Sequence, residues 1–294
     1  MGEDHPQYSD NGTPRDPVLS EEVQHKRRQM HKILMFKQLG CSSGESSLSN
    51  FYSYLWALNK EGKCCPAVRI PDTVVICNGR PVQWMFTSKD GQIKCKGKAK
   101  LHNRELMVKA LTAHVKNRQA SDFAAIYVTF PTHGSSGGKE KIRFLDSEGI
   151  ERLLNSEHAL ADGIIQKIFT PVGSTNYPIL SASWYPQCLQ LDFRIFELAD
   201  SGMVPLNKAS LMSVDTVPER LEQRVKKMCQ AMASHVTAVS PHGYELQSLQ
   251  ATFKNDVDGN LWLMWCEEVE VRSRQQIEAG PRVRSKKMAV SATC

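Results

Sequence analysis

The stretch Glu245–Arg272 reads ELQSLQATFKNDVDGNLWLMWCEEVEVR. Leu246, Leu249, Ala251 and Phe253 carry the apolar signal of a first arm, and Leu261, Leu263 and Trp265 alternate along a second. Period two with aliphatic and aromatic members marks a half-buried strand. Between the arms lies Asn255-Asp256-Val257-Asp258-Gly259-Asn260, where Asp-Gly supplies the positive φ of a tight hairpin turn. In the second arm both parities are apolar, from Leu261 through Trp262, Leu263 and Met264 to Trp265. A strand of that kind is covered on both faces, which predicts a central strand of an antiparallel sheet.

A long helix leads into this hairpin. Val217-Pro218-Glu219-Arg220 opens it, with Pro218 in the first turn, where a missing N–H is tolerated. Leu221, Val225, Met228, Cys229, Met232 and Val236 recur at helical spacing, and Ser240-Pro241-His242-Gly243 stops it. Such a helix on a two-sided hairpin is a packed core with no chemistry of its own.

The 294 residues suffice for one large or two small domains, and 41% apolar content suits a globular core. No uninterrupted apolar stretch is long enough for a transmembrane helix. The polar, acidic start Met-Gly-Glu-Asp-His-Pro is unlike a secretory or transit leader. The nine cysteines, Cys41, Cys64, Cys65, Cys77, Cys95, Cys188, Cys229, Cys266 and Cys294, are odd in number and scattered, as reduced thiols are. An intracellular, reducing compartment is expected. The net charge of +6 is uneven: −3 over residues 1–20, +3 over 21–39, +5 over 272–294, and about +1 elsewhere. A nucleic-acid-binding domain usually carries its basic charge on the folded surface instead.

Residues 1–19, rich in Asp, Gly, Pro and Ser, read as a disordered acidic arm. Ser20 can cap a basic amphipathic helix over 20–40, whose polar face carries Lys26, Arg27, Arg28 and Lys32. After a Ser-rich linker comes an aromatic cluster, Phe51–Leu58, whose local structure the pattern leaves open. Strands are expected at Ala67–Ile70, Thr73–Cys77, Val82–Thr87, Phe123–Phe130, Ile142–Leu145, Gly163–Thr170, Ile179–Trp184 and Cys188–Phe196. A hairpin over Lys89-Asp90-Gly91 returns through Gln92–Cys95. Helices are expected from an Asn103 cap to about Val115 and over Ser147–Leu154. The fold class is α+β: a mixed, mostly antiparallel sheet with three or four helices and disordered termini. One globular unit spans about 50–271, with a split near residue 160 as the alternative, and 272–294 forms a disordered basic tail.

Short motifs give no coherent active site. Gly134-Ser135-Ser136-Gly137-Gly138 matches G-x-S-x-G, but Lys139–Phe144 reads as a strand where a nucleophile elbow needs a helix. His133 and Glu140 break a P-loop frame around Gly138-Lys139. A calcium loop counted back from Gly259 would begin at Lys254, a cation. Cys64-Cys65 lacks zinc-ligand spacing, and Glu267, Glu268 and Glu270 read as a solvated strand end. Val23-Gln24 with Arg28 begins an IQ-type calmodulin sequence that Gln29 and Ile33 do not complete.

Three stretches carry a resemblance: Gly163-Ile164-Ile165-Gln166-Lys167-Ile168-Phe169, the Trp184-Tyr185-Pro186-Gln187-Cys188 turn, and Phe253-Lys254 through Leu261–Cys266. Over roughly residues 145–272 the chain resembles a poorly characterised axoneme-associated family of flagellated protists. The resemblance implies a place in the cilium or flagellum and no enzyme chemistry. The expectation is therefore a non-enzymatic structural adaptor of the ciliary or flagellar axoneme, cytoplasmic, without catalytic residue, cofactor, metal or membrane contact. Its partners would be other axonemal proteins and tubulin, met through Lys26, Arg27, Arg28, Lys32, Arg272, Arg274, Arg282, Arg284, Lys286 and Lys287. The alternatives are an RNA-associated component of a large ribonucleoprotein and a hydrolase built on Ser136 or a Cys/His pair.

Overall fold

The computed structural model describes residues 47–113, 123–130, 141–156, 158–169, 176–197, 204–205, 210–211, 217–240 and 244–272. The acidic arm, the basic helix over 20–40, the Gly-rich loop over 134–138 and the tail beyond Arg272 lie outside them. Five helices are described: α1 (Ser47–Trp56), α2 (Lys98–Leu101), α3 (Arg104–Thr112), α4 (Ser147–Leu154) and α5 (Glu219–Val239). The strands are β1 (Thr73–Cys77), β2 (Arg80–Thr87), β3 (Ile93–Cys95), β4 (Ala125–Thr129), β5 (Lys141–Leu145) and β6 (Gly163–Lys167). They continue with β7 (Asn176–Tyr185), β8 (Cys188–Glu197), β9 (Val204–Pro205), β10 (Ser210–Leu211), β11 (Glu245–Asn255) and β12 (Leu261–Arg272). One sheet has the order β3-β2-β1-β6-β4-β5-β9 and the other β10-β8-β7-β11-β12; every pairing is antiparallel. The class is α+β, with five helices.

Alternation along the strands builds two cores on the seven-stranded sheet. Val74, Ile76, Trp84, Ala125, Tyr127 and Ile165 point to an outer face, where α3 and α4 cover them with Met107, Leu111, Ile150 and Leu154. Val75, Met85, Ile126, Val128 and Ile164 point the other way. There they join one continuous cluster with α1, α5 and the five-stranded sheet. Successive side chains alternate across the pleat, so both cores use the same strands. At Gly163 an added Cβ would lie 2.1 Å from the Val128 carbonyl oxygen, so only glycine admits the close β4–β6 approach.

The hairpin forms as its sequence predicts. Gly259 has φ +74°, its amide donates to the Asp256 carbonyl at 3.1 Å, and the Asp256 carboxylate accepts from Asn260 N at 2.7 Å and Trp262 Nε1 at 2.8 Å. These bonds make residues 255–260 a side-chain-braced turn. β12, however, is an edge strand and not a central one. Other chain segments cover its edge and faces: Leu263 N donates to the Arg69 carbonyl at 2.8 Å, and Cys266 N to the Tyr52 hydroxyl at 3.2 Å. Two-sided burial here comes from a strap and a helix, which protect the edge as a further strand would.

Two other expectations change. Ala67–Ile70 forms no strand: Ala67 takes φ +61°, Ile70 N donates to Thr87 Oγ1 at 2.7 Å, and the segment serves as that strap. The aromatic cluster from Phe51 is helical to Trp56, with Phe51, Tyr52, Ser53, Tyr54 and Leu55 all buried. Five successive buried residues lack the one-sided stripe that sequence periodicity detects. By contrast β1, α4 and the Asn103 cap of α3, whose side chain accepts from Leu106 N, stand where the sequence placed them.

Candidate functional site

Aromatic side chains pack the space between the two sheets. Phe144 meets Tyr177 at 5.5 Å and Phe196 at 5.9 Å between ring centroids, and Phe196 reaches Trp265 at 6.3 Å. Tyr177 and Trp265 are fully buried, and among the described residues neither the tyrosine hydroxyl nor the indole N–H has a partner. Burial pushes the Tyr177 hydroxyl far above the usual phenol range. Burial also pushes the Cys64 and Cys65 thiols up, which disfavours the nucleophilic thiolate.

The outer layer differs. At its margin a cavity of about 260 Å³ is lined by Gly79, Arg80, His102, Arg104, Ser156 and His158 above a floor that includes Leu101, Met107 and Leu154. Four separate elements bring the cationic and imidazole groups together. Arg80 opens β2 after the Asn78-Gly79 turn, whose residues take φ +52° and +76°. That pair of positive φ values makes a tight primed hairpin turn. Gly79 also lets the turn approach the 156–160 loop closely: a Cβ there would sit 2.8 Å from Ala159 Cβ, and the Gly79 carbonyl accepts from Leu160 N at 3.3 Å. His102 caps the C-terminus of α2, and Arg104 is the first residue of α3. The Arg104 guanidinium donates to Asn155 Oδ1 at 3.4 Å, tying α3 to the end of α4. His158 comes from the loop beyond, where its backbone N–H donates to Ser156 Oγ at 3.2 Å.

Among the described residues that line this cavity none is a carboxylate. Arg80 and Arg104 bring planar fork donors, the geometry that matches carboxylate and phosphate oxygens two at a time. Among the described residues no group of three or more His, Cys, Asp or Glu could hold a metal ion, and no helix is long and apolar enough to cross a membrane. The arrangement therefore suits an oxyanion.

The sequence singled out none of these four residues. They are separated by 22, 2 and 54 positions, and no local motif joins them. The usable signals were the Asn78-Gly79 turn, which fixes Arg80 at a hairpin corner, and the Asn103 cap beside His102 and Arg104. Of the residues expected to meet partners, Lys26, Arg27, Arg28, Lys32, Arg274, Arg282, Arg284, Lys286 and Lys287 lie outside the described residues. Arg272 ends β12, with its guanidinium 3.1 Å from Glu270 Oε1 in an exposed pair.

No family model matches the chain, and no curated protein matches it. Solved structures do. D-cycloserine synthetase DcsG matches with TM-score 0.38 and 13% identity, over 84% of this chain and 71% of that one. D-alanyl-alanine synthetase A of Vibrio cholerae matches with TM-score 0.33 and 13% identity, over 67% and 50%. The ADP complex of N5-carboxyaminoimidazole ribonucleotide synthetase matches with TM-score 0.33 and 10% identity, over 68% and 40%. This chain thus spans half or less of the length of the last two. Other matches are described as ATP-grasp ligases. These findings overturn the expectation of a non-enzymatic axonemal or flagellar adaptor docked on microtubule-associated partners. The matched structures named here are enzymes, and none is described as ciliary, axonemal or microtubule-bound.

Proposed function

We propose that this protein binds a small, multiply charged oxyanion, carrying phosphate or carboxylate groups, in the cavity between the β1–β2 turn and helices α2, α3 and α4. One observation carries the reading: residues with two guanidinium and two imidazole groups, from four elements, line one cavity of about 260 Å³. At roughly 30 Å³ per water-sized group, that volume has room for a molecule of about nine such groups, the size of pyrophosphate. The buried floor of Leu101, Met107 and Leu154 holds the rim residues in place, so the site is largely formed before a ligand arrives.

Calorimetric titration with pyrophosphate and with citrate tests this. Either anion should bind the wild-type chain, and the Arg80→Ala/Arg104→Ala pair should weaken binding at least tenfold. Lys109→Ala, an exposed change on α3 outside the lining, should not. Binding that is equal in all three proteins, or absent from the wild type, would remove the site. The two anions together distinguish a phosphate preference from a carboxylate one.

A further inference from the structure

The segment Lys94-Cys95-Lys96-Gly97-Lys98-Ala99-Lys100-Leu101-His102-Asn103-Arg104 places a lysine at every second position from 94 to 100 and holds no Asp or Glu. It runs from β3, an edge strand of the seven-stranded sheet, through α2 to the first residue of α3. Lys94, Lys98, Lys100, His102 and Arg104 are exposed, while buried Leu101 anchors the segment to the outer core. Two acids from elsewhere meet its near end: Asp90 pairs with Lys94 at 3.0 Å, and Asp72 with Lys96 at 3.0 Å. Those pairs balance the first two lysines. Lys98, Lys100 and Arg104 follow, and the next acid in the chain is Glu105, in the first turn of α3.

The far end of this segment reaches the wall of the cationic cavity. Lys96 N donates to the Trp84 carbonyl at 2.8 Å, which sets that residue beside the middle of β2. Leu101, His102 and Arg104 line the cavity together with Gly79, Arg80 and Pro81 from the start of the same strand. The segment thus climbs alongside β2 from Trp84 to the β1–β2 turn. His102 N donates to the Lys98 carbonyl at 3.2 Å, so Lys98 and His102 share one helical face, where side chains at that spacing are neighbours. From Lys94 to His102 the distance is at most about 20 Å, at roughly 3.3 Å per extended residue and 1.5 Å per helical one. A line of bases that short, ending in a pocket the size of pyrophosphate, matches a chain of phosphates held at its end.

We propose that this basic strip binds a linear polyphosphate chain, with its terminal phosphates in the cavity and the following ones along Lys100, Lys98 and Lys96. The proposal rests on the oxyanion reading of the cavity and extends it outward. Each added phosphate brings a further charge to the next lysine, and a polyanion releases condensed counterions as lysines neutralise it. A nucleic-acid strand fits less well. Its bases stack on exposed aromatic faces, whereas Trp84 is fully buried and the Lys96 ammonium lies 3.5 Å from the centre of its ring and 5.1 Å from that of Phe86. An acidic peptide presents singly charged carboxylates on flexible stems, each of which loses side-chain entropy when it is held. A phosphate chain has no such stems.

Calorimetric titrations with pyrophosphate, tripolyphosphate and a linear polyphosphate long enough to cover the strip test this. Affinity should rise with chain length, by about tenfold or more from pyrophosphate to the longest chain. Lys98→Gln/Lys100→Gln removes two exposed charges from the strip. It should cancel most of that gain and lower the logarithmic salt slope by about two. Pyrophosphate binding should stay within about threefold of the wild type, since salt screens charges beyond a Debye length. Lys226→Gln/Lys227→Gln removes the same charge from exposed positions on α5 and should change none of these. No gain with chain length, or an equal loss in both double variants, would overturn the strip, while pyrophosphate binding would still stand for the cavity. Absence of pyrophosphate binding in the wild type would remove both. A glutamate oligomer or a thymidine oligonucleotide of matched charge that binds as tightly as polyphosphate would overturn the choice of ligand.

Discussion

Trp84 and Trp265 are both fully buried, one in each core of the seven-stranded sheet, and they are treated differently. Trp84 has a polar handle. Its indole N–H donates to Asp72 Oδ1 at 2.9 Å, and Lys96 lies 3.5 Å from its ring centre while also pairing with Asp72 at 3.0 Å. Trp265, at the junction of the two sheets, has none: its N–H is buried without a partner among the described residues. The outer core is thin, so its side chains reach the margin, where charge can be hydrated or paired. The inner core joins both sheets with α1 and α5 in one continuous apolar cluster, and there shape decides. The cavity lined by Arg80, His102, Arg104 and His158 stands at the margin of the outer core, where such polar rim groups can meet water.

The contrast can be broken most easily at its apolar end. Trp265→Ala should cost about 3–5 kcal/mol, since a buried aromatic leaves a cavity that its neighbours cannot close. Denaturant unfolding measures this, and a variant with the wild-type midpoint would show that the inner core is not the stability centre.

Lys254 gives the next largest effect, through pH. Its folded value of about 8 lies below the usual 10.5. Between those values the unfolded chain holds the proton that the folded chain has released, so stability rises with pH across that window. Below pH 8 both states are protonated and the cost of the buried charge is fully present. The rise is on the order of 2–3 kcal/mol at 1.36 kcal/mol per pH unit. Subtracting the profile of Lys254→Met from that of the wild type isolates it, because the other lysines and tyrosines cancel. A flat difference from pH 8 to 10.5 would show that Lys254 is solvated.

The polar handle of the outer core is expected to be smaller. Trp84→Phe keeps most of the ring and removes the bond to Asp72, which should cost about 1–2 kcal/mol. In a double-mutant cycle with Asp72→Asn the two changes should couple by about 0.5–1.5 kcal/mol. Additive costs would mean that the indole N–H contributes nothing.

Smallest of all should be the stability effect of the rim. Arg80 and Arg104 are exposed, and replacing either by alanine should shift unfolding by no more than about 0.5 kcal/mol. A larger loss would make these arginines structural ties, with Arg104–Asn155 as the bond broken.

Local grammar made much of the fold legible. Asp-Gly between two alternating arms is enough for the β11–β12 hairpin, because only a few turns match the strand twist. The run Thr73–Cys77, the helix Ser147–Leu154 and the Asn103 cap were readable because their signals lie within a turn or a pleat of the residues they organise. Phe51–Trp56 was not readable as a helix, because burial on every side erases the periodicity that distinguishes helix from strand.

What the sequence alone determined was which segments pair locally and which faces shun water. The tertiary structure decided the rest. It made β12 an edge strand, because the Arg69 strap and α1 supply cover that no property of β12 itself announces. It gathered Arg80, His102, Arg104 and His158 into one cavity, because β1–β2 and the loop before β6 meet through antiparallel pairing of β1 with β6. It also buried Lys254, whose ammonium donates to the Pro178 carbonyl and faces the Tyr177 ring. Each of these is a relation between segments far apart in the chain, and periodicity, caps and turns carry information only over the few residues that one turn or one pleat connects.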